Sequence, residues 1–203
     1  MCTNKQIEIV IASKNRGKIK EIKSILSNKN IRWLTYLDFK DWPKIEESVN
    51  SYEENALKKA KTIANFTKKP TLAEDSGLEI DYLRGEPGIK SARYAGEGST
   101  DLENVQKVLN LMKDCPFIER TARFHCVAVL YLPNDRFFMS QGKCEGKIDF
   151  SPNGESGFGY DPIFVPESHS YTMAQIGIEE KNKISHRAKA LKKLFRIVSV
   201  DIF

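Results

Sequence analysis

Two adjacent carboxylates, Glu74 and Asp75, stand inside the run LAEDSGLEI. A carboxylate near a divalent metal can ligate it or take a proton from water, the two tasks that hydrolysis of a phosphoanhydride requires. An Asp-Ser-Gly turn closed by a side-chain hydrogen bond is the other reading of the same residues. The pattern places short strands at 70–73 and 78–83, with the acids ending the first and Gly77 turning the chain. Successive side chains on a strand point to opposite faces, so only one acid should face a ligand unless the turn re-aims them.

Four further segments carry side chains suited to an anionic or aromatic ligand. Ser13-Lys14-Asn15-Arg16-Gly17-Lys18 lies between a strand and a helix, where unpaired backbone N–H groups and the helix dipole stabilise phosphate oxygens. Asn15 can equally be an ordinary N-cap with solvated lysines around it. Glu46-Glu47 precedes the second helix. Magnesium is commonly held by one or two carboxylates together with substrate phosphates and water, so Glu47 could supply a ligand or be a plain surface acid. In GESGFGYDP, residues 154–162, glycines permit close backbone approach and Phe158 offers a face for a purine, or a plug for the core. Lys181 with Ser185-His186-Arg187 gathers donors near the start of the last helix. A 6-oxo purine presents a carbonyl where adenine presents an amino group, so fixed donors there would favour a deaminated base. His125 and Cys126, adjacent in a strand, point to opposite faces and cannot form a nucleophile–base dyad.

The elements that must hold these residues follow from periodicity. IEIVIA, residues 7–12, reads as a buried strand, and Ile19, Ile22, Ile25 and Leu26 mark one helical face, with Lys18, Lys20, Glu21 and Lys23 elsewhere. Ser51 with Glu54 and Thr100 with Glu103 have the form of capping boxes, opening helices over 52–66 and from 101 onward. TARFHCVAVLYL and FFMSQGKCEGKI flank PNDR as a long hairpin, and a final helix starts at Ser185 with Ala188, Leu191, Leu194, Phe195 and Val198 inward. Strand–helix units beside a hairpin indicate an α/β or α+β domain with a mixed sheet.

At 203 residues, 40% hydrophobic and 29% charged, the chain fits one globular domain, 1–203, with room for two lobes and a ligand cleft. The N-terminus has no secretory pattern and no apolar run reaches the length of a membrane span, so a cytoplasmic protein without membrane partners is expected. Four cysteines without C-x-x-C spacing and three scattered histidines argue against zinc or a disulfide framework. The net charge of +5 is dispersed along helix faces, which leaves nucleic-acid binding as a background possibility.

Together the segments resemble the inosine triphosphate pyrophosphatase family, also described as dITP/XTP pyrophosphatases. The resemblance is carried in order by VIASKNRGKIKEI, ENALKKA, AEDSGLEID with PGIKSARYAGE, GFGYDPIFVP and EEKNKISHRAKAL. It implies an α/β fold, an elongated mixed β-sheet flanked by helices with two lobes and a central cleft, usually a homodimer. It implies a small-molecule nucleotide substrate, no nucleic-acid partner, and magnesium, one or more ions per subunit, as cofactor. Carried over by position, Ser13, Lys14, Asn15, Arg16, Gly17 and Lys18 cradle a triphosphate, with Lys59 a further phosphate contact. Glu47 and Asp75 hold magnesium, Asp75 activates the attacking water, and Ser76 touches substrate. Phe158, Gly159, Tyr160, Asp161, Lys181, His186 and Arg187 line a base pocket. The implied reaction converts ITP, dITP or XTP to the monophosphate and pyrophosphate. A Maf-type pyrophosphatase acting on modified pyrimidine nucleotides and a non-catalytic nucleic-acid-binding module are the alternatives. The chain departs from the family's common Thr-Gly-Asn at Ser13-Lys14-Asn15, and from Asp-Asp-Ser-Gly at Glu74-Asp75-Ser76-Gly77.

Overall fold

Ile9, Val10 and Ile11 are all buried, so the first strand, β1 (Ile7–Ile11), has apolar contacts on both faces. That is the burial a parallel interior strand requires. β1 pairs in parallel with β2 (Ile31–Leu34) through Ile9↔Trp33, and with β3 (Thr71–Ile80) through Val10↔Thr71. The computed structural model describes residues 6–27, 30–46 and 50–201.

Helix α1 (Arg16–Ile25) connects β1 to β2 and is capped by Asn15. Ile22 and Leu26 are buried as the apolar pattern requires. Glu21, which that pattern places off the apolar face, is buried as well, because Arg187 pairs with it. Helix α2 (Tyr52–Thr67) opens with Ser51 accepting from Glu54 N, while the Glu54 carboxylate accepts from the Asn50 amide. Ala56, Ala60, Ile63 and Ala64 form its buried stripe.

The acidic run is one strand rather than two. β3 continues from Thr71 to Ile80 without a break, and Gly77 does not turn the chain. Leu72, Ala73, Leu78 and Ile80 are buried on either side of the acids, and the acids themselves have cationic partners, so extended backbone is stable throughout. The chain turns only beyond Ile80, where Gly85, at φ 89°, donates to Ile80 O.

Helix α3 (Asp101–Leu111) has the complete reciprocal cap between Thr100 and Glu103. The expected hairpin is β4 (Thr121–Tyr131) and β5 (Phe137–Ile148). Its turn uses Asp135 at φ 61°, closed by Leu132 N donating to Arg136 O at 2.8 Å. A short β6 (Phe164–Pro166) pairs antiparallel with β5, giving a mixed six-stranded sheet in the order β2-β1-β3-β4-β5-β6. A short helix, α4 (Ile178–Ile184), precedes α5 (His186–Asp201), and the extended Ser185 separates them. Among the described residues no helix is long and apolar enough to cross a membrane.

The chain divides into two compact units. The first comprises residues up to Asp75, Val127–Gln141 and Arg187 onward; the second comprises Ser76–Cys126 and Gly142–His186. β3, β4 and β5 each pass from one unit to the other. The second unit has its own apolar core, with Leu78, Ile80, Val105, Val108, Met112, Phe124, Ile148 and Phe164. Phe124 and Phe164 pack there with ring centroids 4.6 Å apart.

Arg120 is buried at the edge of this core and stands in for secondary structure. Its guanidinium donates to Ile148 O at 2.8 Å, Met112 O at 2.8 Å, Cys115 O at 3.4 Å and Asp149 O at 2.9 Å. The end of α3, the loop after it and the end of β5 are thereby tied to one planar fork, which an ammonium cannot imitate. Burial lowers its pKa from the ordinary arginine value, and the four carbonyls satisfy the cation without a carboxylate partner in that set. Arg120→Met should cost about 4 kcal/mol, since charged hydrogen bonds contribute roughly 1.5–3 kcal/mol each and the carbonyls lose their donor. Arg120→Lys should recover less than half of that in a urea titration followed by circular dichroism.

Candidate active site

In the first unit the β3 alternation sends its two acids to different partners. Glu74 Oε1 lies 2.8 Å from Lys18 Nζ on α1 and 3.4 Å from Arg187 Nη2 on α5. Arg187 Nη1 also makes a close ion pair with Glu21 on α1. All three of Glu21, Glu74 and Arg187 are buried. Burial pushes the Glu74 carboxyl up, but Arg187 and Lys18, with Lys59 farther off, outweigh this and hold it well below the usual carboxylate range.

Asp75 is 6% exposed and takes its partners from α2. Lys59 Nζ lies 2.7 Å from Oδ1, and Asn55 Nδ2 donates to Oδ2 at 3.1 Å. Asn55 and Lys59 are four residues apart, hence on one helical face, which is why ENALKKA delivers both to the same carboxylate. Opposite these acids in sequence order, the β1–α1 loop is organised by its own side chains. Ser13 Oγ accepts from Asn15 N at 3.1 Å, and Asn15 Oδ1 accepts from Lys18 N at 3.0 Å. Asn15 is therefore the helix cap, and Lys14 and Arg16 are exposed beside it, with Ser13 and Gly17 half-buried.

The second unit holds the aromatic loop. Asp161 and Lys181 are each 3% exposed and form a close ion pair. Asp161 Oδ2 also accepts from Phe158 N at 2.9 Å, and Lys181 Nζ lies 5.4 Å from the Phe158 ring centroid. Gly157, at φ 84°, is required here, because a Cβ would fall 2.0 Å from Asp161 Oδ2. Tyr160 donates to Ser91 O at 2.8 Å, and burial, with the neighbouring Tyr94 and Asp101, raises its phenol above the ordinary value. His186 stacks on Phe124, with centroids 4.7 Å apart and planes 15° from parallel. Ser76, half-buried on β3, is the first residue of this unit.

The donors expected near the last helix have different partners. Lys181 pairs with Asp161, His186 stacks on an aromatic ring, and Arg187 belongs to the Glu21–Glu74 network of the first unit. Glu47 lies outside the described residues, and Glu46 is exposed. Among the described residues no cluster of three or more His, Cys, Asp or Glu side chains could hold a metal ion. His125 Nδ1 lies 3.4 Å from Glu79, and Cys126 is wholly buried, in keeping with their opposite orientations on β4. Sequence reasoning passed over Asn55, Glu21 and the part played by Glu74. Asn55 had a signal, its i, i+4 relation to Lys59; Glu21 and Glu74 had none, because their partner Arg187 is remote in sequence.

Such a molecule is a mixed-sheet α/β protein with one buried acid–lysine group in its first unit and another, beside an aromatic ring, in its second. A family model described as the Ham1 family matches residues 9–197, and the chain belongs to that family. It is similar to a dITP/XTP pyrophosphatase of Halalkalibacterium halodurans, 48% identical over 187 residues that span 92% of this chain and 96% of that protein. A dITP/XTP pyrophosphatase of Bacillus subtilis is 45% identical over 193 residues, 94% of this chain and 96% of that one. Among solved structures, a HAM1 protein from Coxiella burnetii matches with a TM-score of 0.85 at 42% identity, covering 96% of this chain and 99% of that one.

The Glu21–Arg187–Glu74 arrangement predicts strong non-additivity. Arg187→Met should destabilise the protein by about 3–5 kcal/mol, because two carboxylates lose a buried cation. Adding Glu21→Met should recover a large part of that loss, since Glu74 retains Lys18. A double-mutant cycle by chemical denaturation measures the coupling.

Proposed function

We propose that this chain hydrolyses deaminated purine nucleoside triphosphates, ITP, dITP and XTP, to the monophosphate and pyrophosphate. The observation that carries the reading is the buried Asp75 carboxylate, held by Lys59 and Asn55 on one helical face. The two relatives above, dITP/XTP pyrophosphatases along nearly their whole length, support the same chemistry. Family membership favours neither a Maf-type pyrimidine specificity nor a non-catalytic nucleic-acid module.

In this reading the first unit handles the triphosphate. The N-terminal amides of α1, the Ser13 hydroxyl and the Asn15 amide group donate to phosphate oxygens, and Lys18 and Lys59 offset their charge. Both lysines are already held by acids, Lys18 by Glu74 and Lys59 by Asp75, so their ammonium groups are placed before substrate arrives. Asp75 takes the proton of the water that attacks the α-phosphorus, the bond to the β-phosphate oxygen breaks, and pyrophosphate leaves. Asn55 keeps Oδ2 occupied and so fixes which way the carboxylate faces.

Magnesium suits a carboxylate such as Asp75, since it needs only one or two carboxylates beside substrate phosphates and water; the Lys59 ammonium, 2.7 Å from Oδ1, would yield that oxygen to the metal and turn to phosphate. Asp75 would hold it with Glu47, and bound there it would supply charge neutralisation for the departing pyrophosphate.

The second unit reads the base. Phe158 offers a stacking face, and Lys181, fixed by Asp161, is a donor that suits a 6-oxo group and not the 6-amino group of adenine. His186, Tyr160 and Gly159 complete the lining in this reading, and Arg187, in the first unit, pairs with Glu74. The family resemblance extends the proposal to a cytoplasmic homodimer.

The test is pyrophosphate release with magnesium over ITP, dITP, XTP, GTP, ATP and dTTP. ITP and XTP should exceed ATP by at least about 100-fold in kcat/KM, the discrimination that hydrogen-bonding sites reach when a donor is left unpaired. Asp75→Asn should lower kcat by roughly 10²–10⁴-fold while KM stays within a few-fold. Wild-type turnover of ITP by Asp75→Asn would sink the assignment.

A further inference from the structure

Phe158 has both of its flanking peptide groups clamped by carboxylates from different elements. Its own N–H donates to Asp161 Oδ2 at 2.9 Å, which constrains the peptide before it. The next N–H, that of Gly159, donates to Asp101 Oδ2 at 2.7 Å, which constrains the peptide after it. Fixing both peptide planes fixes φ and ψ of Phe158, and with them the direction of the Cα–Cβ bond that carries the ring. Gly159, at φ 62°, has open space where a Cβ would lie, and the same peptide is otherwise held by Phe158 O accepting from Asp161 N at 3.3 Å, a longer bond than the one Asp101 makes.

Asp101 is not needed to start its own helix. Thr100 caps α3 by accepting from Glu103 N, and Glu103 returns a bond to Thr100 N at 2.7 Å, so the reciprocal cap is complete without it. Asp101 is exposed at the first helical position, and its carboxylate reaches across 58 residues of sequence to the aromatic loop. Three residues on, the buried Asn104 anchors the neighbouring segment, accepting from Ala95 N at 2.7 Å and Ser99 Oγ at 3.0 Å. That segment carries Ser91, whose carbonyl accepts from Tyr160. The first turns of α3 therefore hold the aromatic loop directly through Asp101 and indirectly through Asn104.

We infer that Asp101 is a positioning residue for base recognition, setting the orientation of Phe158 through the Gly159 amide. The inference rests on the reading of Phe158 as the stacking face for the purine. Asp101 bonds the Gly159 amide and belongs to the second unit, whereas Lys18, Lys59 and Asp75 belong to the first, so its influence is assigned to base affinity and not to turnover. A hydrogen bond at an exposed loop, where water screens the carboxylate, corresponds to roughly a 5- to 10-fold change in affinity.

The experiment is steady-state hydrolysis of ITP by Asp101→Ala, Asp101→Asn and Phe158→Ala, with inorganic tripolyphosphate as a base-free competitive inhibitor. Asp101→Ala should raise KM for ITP about 5- to 10-fold with kcat within about twofold, and leave the tripolyphosphate inhibition constant unchanged. Asp101→Asn, which keeps an acceptor oxygen, should restore KM to within about twofold of wild type. The melting temperature of Asp101→Ala should fall by less than about 4 °C, the shift of a surface hydrogen bond in a protein of this size. An unchanged KM in Asp101→Ala overturns the inference, as does failure of Asp101→Asn to rescue it or a parallel rise in the tripolyphosphate constant. Phe158→Ala separates the two ideas. If it leaves KM for ITP unaltered, the stacking reading fails and takes the inference with it; if it raises KM while Asp101→Ala does not, only the positioning role fails.

Discussion

Two ionised carboxylates in the middle of a buried strand are the constraint around which the first unit is arranged. An unpaired charge in a protein interior costs several kcal/mol, so Glu74 and Asp75 can remain in β3 only if cations reach them. Because side chains alternate along the strand, one helix cannot serve both. Glu74 draws Lys18 from α1 and Arg187 from α5, and Asp75 draws Lys59 and Asn55 from α2. Arg187 brings a further demand, since it also engages Glu21, and that pair accounts for the one buried acid on α1. Three helices that are distant in sequence are thus tied to adjacent residues of one strand.

The second unit solves a similar problem with less charge and more backbone. Its buried pair is Lys181–Asp161, and the spare capacity of Asp161 goes to the amide of Phe158. Gly157 is confined by that carboxylate, and Gly154 by the backbone of Ala174, where a Cβ would approach to 2.6 Å. Arg120 does comparable work at the other edge of the core, where backbone carbonyls accept from the guanidinium and the Phe150 ring lies 4.4 Å from it. In both cases a cation organises irregular backbone that no ladder or helix would otherwise satisfy.

Periodic elements were legible in the sequence because burial imposes period directly. The β1 run, the stripes of α2 and α3, the hairpin and the final helix occupy the positions that the apolar pattern marks. What escaped was structure whose cause is remote. β2 and β6 have only four and three residues, too short to show alternation, and are strands because a neighbour pairs with them. AEDSGL reads as a turn by local chemistry, since Asp, Ser and Gly favour turns, yet tertiary ion pairs to Lys18 and Lys59 keep the strand extended. The candidate site was legible as motifs but not as geometry. SKNRGK, ENALKKA and GFGYD supplied the candidate side chains, whereas the partners of Lys181, His186 and Arg187 depended on contacts with residues 20 to 166 positions away.

Pre-pairing has a consequence for selectivity in the proposed reaction. A lysine that waits as a mobile ammonium can adjust to almost any acceptor, and so discriminates weakly. Lys181 cannot adjust in that way, because a buried carboxylate holds it and the Phe158 ring lies 5.4 Å from its charge. In that reaction a purine with an acceptor at the 6-position would extend the existing charge network; one with an amino group there would set donor against donor, and the loss would be that of a hydrogen bond left unmade. Lys18 and Lys59 face the opposite requirement. In the proposed reaction they would neutralise phosphate charge, which every nucleoside triphosphate carries alike, so their pairing with Glu74 and Asp75 would serve placement and turnover while the choice of base would fall to residues of the second unit.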